Sequence, residues 1–444
     1  MRESNLGNTV KLAYFAFVQT RIRRLATLDL SLFMRNLPVV FLVLFFWAGI
    51  ELLAQPLSRN DTARSSRGRD FYMVFLPNYH EETRDSSNTR DSLFIFVTCD
   101  KATSGRITYR NRLGRVVSQG FAITDPTQIY TFAMNYGDIE LEGFNISQRV
   151  NTVAQSEQIA EQYVRIEAND EVTVYALNQA RFTSDAHLVL PVPALGRDHV
   201  VMSYFSDGSG LPFINNLAGN DTPSQFAVVA VNDDTEVTIQ PTVPTFPSQS
   251  TTTQTVRLQR GQSYLVQADT RVGNGRGDLT GSRVRSTKPV AVFGSHQRAL
   301  LPLPLKSFLS SRDHLVEQIP PVETWGKSIF LVPHAQPSFQ TEFGSDIYRV
   351  LAAYDNTIVQ LNGQLLDTLN AGEFYEASLT REGWITANEQ VLVAQFKKTG
   401  TPSGLPGGGV GSQVGDPFMM VIPTVEQYDK GYRFINAQVR DVGV

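Results

Sequence analysis

The most constraining feature of this 444-residue sequence is a gapless internal repeat of a strand, a polar turn and a second strand. Residues 226–239 and 348–361 share it, and the identical positions are Val228, Ala230, Asp233, Thr235 and Val237 in one copy and Val350, Ala352, Asp355, Thr357 and Val359 in the other. Asp and Asn favour such turns because their side chains bond to the nearby backbone. Recurrence of this kind indicates several copies of one supersecondary unit.

Two further motifs recur around this hairpin. Residues 319–327 (IPPVETWGK) match residues 422–430 (IPTVEQYDK), and residues 190–193 (LPVP) look like a weaker copy. Gly261 and Gly372 each begin a Gly-x-x-Tyr motif. One strand and a turn cannot bury a core alone, so the last copy is incomplete. We therefore predict three β modules at 67–182, 183–300 and 310–397, followed by the start of a truncated fourth module at 416–444.

Composition supports packed β cores. Hydrophobic residues make up 42% of the chain and charged residues 18%, which is enough apolar material to exclude wholesale disorder. The 27 Phe and 15 Tyr residues suit pleated sheets, and helical periodicity is scarce. We predict an all-β fold of tandem β-sandwich-like modules, each closing its own core, with a propeller-like array as the alternative. The net charge of -4 offers no basic footprint, so we expect no nucleic-acid partner.

An uncharged apolar run lies near the N-terminus at residues 37–50 (LPVVFLVLFFWAGI). Its 14 residues fall short of the ~20 that span a membrane but match the ~7–15 of a signal peptide. We predict that residues 1–55 are an N-terminal extension plus a signal peptide, with a retained anchor helix at 37–53 as the alternative. Either reading places the modules outside the cell or on its surface, and any membrane contact runs through this segment.

The chain contains a single cysteine, Cys99, in an apolar run typical of a buried strand. One cysteine allows no intrachain disulfide framework. Small extracellular animal modules usually depend on disulfides, so a large exported chain without them must depend on its cores. This pattern favours a bacterial surface protein.

Motifs for catalysis or metal binding are missing from the sequence. The six histidines show no zinc-ligand spacing, and no Gly-x-Ser-x-Gly nucleophile motif occurs. Residues 276–278 spell Arg-Gly-Asp, the tripeptide that integrins recognise, but a three-residue match is weak and a turn role suffices. We therefore predict no catalytic, cofactor-binding or metal-binding residues and no enzyme activity, and we assign no ligand-binding residues.

Several spaced segments resemble one known family. They are residues 68–78 (GRDFYMVFLPN), 278–282 (DLTGS), 288–294 (KPVAVFG) and 313–321 (DHLVEQIPP) with Trp325-Gly326. Over about residues 67–435 the chain is similar to the IgG Fc-binding protein N-terminal domain family. The resemblance implies a secreted or surface-attached protein, here expected to be of the bacterial type. It does not transfer the immunoglobulin ligand, because a shared fold does not imply a shared site.

These observations favour an extracellular or cell-surface binding protein that uses repeated β modules for adhesion. The expected ligand is an extracellular protein or glycan, contacted through several weak sites that act together. Two alternatives stay open: a structural spacer that presents a missing C-terminal domain, and an exported hydrolase. Clustered carboxylates in a cleft would indicate the hydrolase.

Overall fold

The structure is a computed structural model that describes residues 65–80, 91–143, 154–180, 183–208, 221–272, 274–303, 312–334, 346–399 and 416–428. The predicted N-terminal signal peptide or anchor helix falls on residues 1–64 and lies outside the described residues. No helix within the described part of the chain is long and apolar enough to cross a bilayer. The three β-sheets all belong to one compact unit, Thr62–Val444.

Sheet 1 is built from seven antiparallel strands. Its strands are β1 (Gly68–Met73), β2 (Ser92–Cys99), β3 (Thr103–Arg110), β4 (Val116–Ile123), β5 (Tyr130–Met134), β7 (Tyr163–Ala180) and β8 (Thr183–Val189). They lie in the order β4-β3-β7-β2-β5, and β1 and β8 also pair with β7. The short helix α1 (Tyr136–Ile139) follows β5.

Sheet 2 has nine strands and includes one strand from between β5 and β7. Its strands are β6 (Ile159–Ala160), β9 (Gly196–Val200), β10 (Ser224–Ala230), β11 (Thr235–Gln240), β12 (Thr245–Phe246), β13 (Gln254–Leu258), β14 (Ser263–Ala268), β15 (Arg283–Ala299) and β16 (Asp313–Gln318). The order is β12-β14-β10-β15-β11-β13, with β6 paired to β14 and with β9 and β16 paired to β15.

Sheet 3 repeats the seven-strand arrangement. Its strands are β17 (Gly326–Leu331), β18 (Asp346–Ala352), β19 (Thr357–Leu361), β20 (Gln364–Leu369), β21 (Phe374–Leu379), β22 (Gly383–Lys397) and β23 (Met419–Ile422). The order is β20-β19-β22-β18-β21, and β17 and β23 pair with β22. A 3₁₀ turn follows β8, β16 and β23 in turn, at Val192–Ala194, Val322–Thr324 and Val425–Gln427.

One long strand organises each sheet in the same way. The first half of β7, β15 or β22 pairs with β1, β9 or β17, and the second half pairs with β8, β16 or β23. The predicted hairpin motif forms β10–β11 in sheet 2 and β18–β19 in sheet 3. The predicted all-β fold of tandem repeated modules is therefore confirmed. The module boundaries remain a prediction, since β6 already crosses from the first predicted module into sheet 2.

The apolar cores differ from the expectation that each module closes its own interior. Ala227, Val229 and Phe293 of sheet 2 belong to the core of sheet 1, and Leu351 and Phe396 of sheet 3 belong to the core of sheet 2. We call these shared regions seam 1–2 and seam 2–3. As a result of these shared regions, the central strands β10 and β18 are buried at all seven residues and have no solvent-facing side.

Candidate functional site

Four of the histidines lie in the protein interior, away from solvent. Burial lowers the pKa of His187 to about 3 and the pKa of His199, His296 and His314 to about 4, so these rings are neutral near pH 7. The Nε2 atom of His296 lies 3.0 Å from the carbonyl oxygen of Phe205. The rings of His199, His296 and His314 each contact a backbone carbonyl, and all four enclosed neutral rings fill space and offer a substrate no access.

His80 differs because it lies between two carboxylates. Its ring nitrogens lie 3.1 Å from Asp91 and 2.9 Å from Glu140, and the ring stacks on Tyr136. Burial alone lowers the pKa of His80, but the charge of Glu140 and the two hydrogen bonds outweigh burial and raise it to about 9. Asn178 donates a further hydrogen bond to Glu140. The result is a buried ionic cluster that fixes β2, β7 and the segment after α1.

The carboxyl groups of Asp313 and Asp416 interact where sheets 1, 2 and 3 adjoin. Burial raises the pKa of Asp313 to about 9, with further contributions from the charges of Asp416 and Asp185. Asp313 accepts hydrogen bonds from the backbone amides of Ser184 and His314, so its carboxyl group fastens β8 to β16. The carboxyl group of Asp313 therefore has a structural role. Among the residues that the structure describes, no three metal-ligating side chains come together to hold an ion.

The Arg-Gly-Asp segment is not presented to a partner in the way integrin recognition requires. Asp278 is only 7% exposed, and its Oδ2 atom accepts a hydrogen bond of 2.8 Å from Arg349. Its Oδ1 atom accepts another from the backbone amide of Thr280. The aspartate is therefore committed to seam 2–3, and the tripeptide has a structural role.

Arg349 is the centre of seam 2–3 and was missed by the sequence reading. This fully buried side chain donates hydrogen bonds to the carbonyl oxygen of Ser203 and to Asp278, Thr280 and Glu376. Its guanidinium group also lies between aromatic rings, 4.4 Å from Tyr204 and 4.3 Å from Phe374. The sequence signal was a charged residue in the middle of a mostly apolar strand, at the position that Ala227 holds in the other repeat copy.

The described surface carries one fixed aromatic pair on sheet 3. Phe330 of β17 and Trp384 of β22 are cross-strand neighbours with stacked rings 5.5 Å apart, and they are 47% and 46% exposed. The indole N–H of Trp384 donates a 2.7 Å hydrogen bond to Ser328, which holds the ring in place. Val332 is 69% exposed and lies two residues after Phe330. We call Phe330, Val332 and Trp384 the tail surface.

Apolar exposure continues beside the tail surface on the same sheet. Leu365 of β20 is 64% exposed and lies opposite Gln360 of β19, which in turn lies opposite Thr386 of β22. Because alternate residues of a strand share a face, Thr386 lies on the same side as Trp384. Leu365 and Trp384 therefore lie on one face of sheet 3, but the polar side chains of Gln360 and Thr386 lie between them. Nothing in the sequence analysis pointed to the exposed tryptophan of β22.

A polar groove lies on sheet 1. It is lined by residues that include Arg69, Asp70, Arg106, Glu167 and Asn169. Charges of both signs occur side by side here, and several are already satisfied. For example, Arg165 forms a bidentate ion pair with Asp70. The groove therefore has no dominant charge with which to select an acidic or a basic ligand.

Comparison with known proteins identifies a human relative and several distantly similar structures. The human IgGFc-binding protein (Homo sapiens) is 27% identical over 299 residues, which cover 64% of this chain and 5% of that protein. The chain thus corresponds to a small part of the relative's length. The expected bacterial type finds no support here, because this relative is human.

Two of the solved structures that match are adhesion proteins with low similarity. The pilus adhesin SpaC from Lactobacillus rhamnosus GG is 11% identical, with coverage of 71% of this chain and 33% of that chain and a TM-score of 0.13. A tetra-tandem repeat from the extending region of a large adhesion protein is also 11% identical, with coverage of 81% and 75% and a TM-score of 0.10. Likenesses at these TM-scores support no conclusion about this chain.

Family membership is decided by a family model that matches more than half of the chain. The model of the IgGFc binding protein family matches residues 185–441, which include sheet 3 and nearly all of sheet 2. The resemblance read from spaced motifs over about 67–435 is thereby confirmed. This chain belongs to the IgGFc binding protein family.

Proposed function

We propose that this chain is an extracellular or cell-surface binding protein that contacts a protein partner through the tail surface of sheet 3. One observation carries the proposal: Phe330 and Trp384 are half-exposed, stacked on each other and held by a hydrogen bond to Ser328. Large aromatic side chains in a fixed position are the groups that dominate binding energy at protein interfaces. The tail surface also lies inside the family-matched residues.

The fixed geometry of the aromatic pair favours binding over a purely structural role. Exposed aromatic rings normally lose side-chain freedom when a partner covers them. In this pair the cross-strand stacking and the indole hydrogen bond have already restricted both rings. The remaining cost of binding is therefore small, and Val332, which is 69% exposed, adds to the apolar area that a partner can cover.

Export and the identity of the ligand complete the proposal. We place the modules outside the cell, reached through the apolar run at residues 37–50 as a signal peptide or through a retained anchor at 37–53. The human relative is named for binding IgG Fc, which makes the immunoglobulin Fc fragment one protein to test. Apolar and aromatic chemistry at the tail surface favours a protein partner over a glycan alone.

The test is an array of extracellular proteins and glycans, including the Fc fragment, probed with the purified chain. We expect signals on protein ligands, and we expect Trp384→Ala to weaken them at least tenfold, as the loss of an aromatic hot spot of about 1.4 kcal/mol or more does. Leu113→Ala is the matched control, because Leu113 is 88% exposed on the β3–β4 turn of sheet 1. Equal binding by the wild type and the Trp384→Ala variant would remove the tail surface from the proposal.

A spacer function is the second candidate, and the seams favour it specifically. Sheets 1, 2 and 3 share cores, so the stack resists bending more than modules joined by flexible linkers would. The array separates the two functions. A spacer yields no ligand signal in the wild type, and a binding protein yields a signal that depends on Trp384.

A further inference from the structure

A lysine and an aspartate face each other in the interior, at one end of the two central strands of sheet 3. Asp346 begins β18 and Lys397 ends β22, and the antiparallel register places them directly opposite each other. The side chain of Asp346 is fully buried and that of Lys397 is 11% exposed. The Nζ atom of Lys397 lies 3.7 Å from Oδ1 of Asp346. An amine and a carboxyl group are therefore held in contact and shielded from solvent.

The two carboxyl oxygens of Asp346 have different surroundings. Oδ2 accepts a hydrogen bond of 2.7 Å from the backbone amide of His334 and another of 2.9 Å from Nε2 of Gln395. Oδ1 lies 3.1 Å from Nδ1 of His334 and 3.7 Å from the lysine, and both contacts fall outside good hydrogen-bond geometry. One oxygen is thus fixed by two donors, and the other lies beside a ring nitrogen and an amine.

A second lysine–carboxylate contact on the same sheet shows what burial adds. Lys327 and Glu389 lie closer together, at 3.3 Å, but their side chains are 43% and 42% exposed, so water solvates both charges. Burial lowers the pKa of Lys397, and the charge of Asp346 opposes this shift only in part. More of Lys397 is therefore the neutral amine, which is the nucleophilic form. Burial, and not distance, distinguishes the two pairs.

We propose that Nζ of Lys397 and Cγ of Asp346 join in an amide bond, which is an isopeptide cross-link between β18 and β22. The N–C bond forms, the bond between Cγ and Oδ1 breaks, and Oδ1 leaves as water. Starting from the ammonium and carboxylate groups, two protons of the lysine go to the departing oxygen and the third stays on the amide nitrogen. The condensation is balanced by the release of one water and consumes no oxidant, reductant or co-substrate.

His334 and Gln395 occupy the positions that this condensation needs. The ring nitrogen of His334 lies beside Oδ1, where it can relay protons from the amine to the leaving oxygen. Nε2 of Gln395 donates to Oδ2, the oxygen on which negative charge develops during the attack. In the product, Oδ2 becomes the carbonyl oxygen of the amide and keeps both of its hydrogen bonds.

The fold supplies the driving force for the reaction. Strand pairing holds the two groups together, and well-oriented intramolecular reactions reach effective molarities of about 10⁵–10⁸ M. The buried site also keeps out the water that would hydrolyse the amide. The product closes a covalent loop from β18 to β22 around β19, β20 and β21. The inference stands apart from the proposed function, because none of its residues belongs to the tail surface.

The test is mass spectrometry of the full chain after unfolding and trypsin digestion. The cross-link yields a branched peptide that joins residues 328–349 to residues 382–398 and has one water less than the sum of the two. Trypsin leaves the bond after Lys397 intact, because an acylated lysine has no charge for the enzyme to bind. Cleavage after Lys327 should be normal, since its pair with Glu389 is solvated. Linear peptides 328–349 and 382–397 without the branched product, from a chain shown to be folded, would overturn the inference.

Three variants identify the reacting groups. Lys397→Met should abolish the branched peptide. Lys398→Met is the matched control and should keep it, because Lys398 is adjacent but donates its hydrogen bond to Ser378. His334→Gln should slow cross-linking by about 10²-fold or more in chain sampled over time after synthesis. A branched peptide that persists in Lys397→Met, or one attached through Lys398, would contradict the assignment, and an unchanged rate in His334→Gln would contradict the proton relay. The wild-type digest decides the proposal even where a variant fails to fold.

Discussion

Replacing Arg349 with methionine tests the main polar contact between sheets 2 and 3. Methionine keeps a long, flexible and apolar side chain among the surrounding rings, so packing is largely retained. It removes the positive charge and every hydrogen bond that Arg349 donates. Asp278, with a side chain 6% exposed, then keeps its charge in the interior without its ion-pair partner.

The expected cost follows from the burial of both partners. Removing one member of a buried ion pair typically destabilises a protein by about 3–5 kcal/mol, because the other charge stays buried and uncompensated. Glu376 is 25% exposed and recovers solvation from water, so it adds less. The larger part of the cost therefore comes from Asp278. Changing that residue as well, in the double variant Arg349→Met with Asp278→Asn, should restore at least about 1 kcal/mol relative to Arg349→Met alone.

Urea unfolding followed by fluorescence and amide hydrogen exchange measures this effect. We expect a lower urea midpoint in Arg349→Met and faster exchange at β18 and β22, where sheet 3 meets the seam. Sheet 1 amides should keep their protection, since no contact of Arg349 reaches them. A loss below about 1 kcal/mol, or a double variant weaker than the single one, would refute the argument that Asp278 carries an uncompensated charge.

The other predictions concern pH and backbone geometry. The pKa of His80 is raised from 6.5 to about 9, so its stabilising effect is full below pH 6.5 and is lost as the pH rises through 9. The free energy of unfolding should fall by up to about 3 kcal/mol over that window, and the difference from a His80→Gln pH profile isolates this contribution. Gly281 has φ of +88° and faces the backbone of Gly372 across seam 2–3, so Gly281→Ala should cost about 2–4 kcal/mol in urea unfolding. Gly363 has φ of +80° with open space around it, so Gly363→Ala should cost only about 1–2 kcal/mol, and equal costs would contradict a close approach at the seam.

Much of the fold was predictable because its signals are local. Val228, Asp233 and Val237 share their spacing with Val350, Asp355 and Val359 in the later repeat. This shared spacing predicted the hairpins that the structure places at β10–β11 and β18–β19. The glycines of the Gly-x-x-Tyr motif were also found from sequence alone. The sequence did not show why these positions are glycines. In the structure, Gly261 lies against the Tyr163 ring in seam 1–2, and Gly372 lies against Gly281 in seam 2–3.

The candidate surface was not predictable, because exposure depends on what packs above a strand. Tyr72, Val200 and Phe330 occupy equivalent positions and are all apolar, yet only Phe330 is exposed. The next sheet along the chain shares a core with Tyr72 and with Val200, whereas no sheet among the described residues covers Phe330, and nothing in the neighbouring sequence indicates this difference. Similarly, the Arg-Gly-Asp tripeptide at residues 276–278 was visible in the sequence, but the hydrogen bond from Arg349 that holds Asp278 was not.

The sequence alone determined the all-β class, the repeated hairpins and the family, because alternation, turn residues and motif spacing act over a few residues of chain. Only the tertiary structure decided that the sheets share cores and that Arg349 is buried between them. It also decided that Phe330 and Trp384 of the tail surface are half-exposed and stacked on each other. These properties arise from contacts between residues about 70 to 150 positions apart, where burial and charge pairing depend on which faces meet.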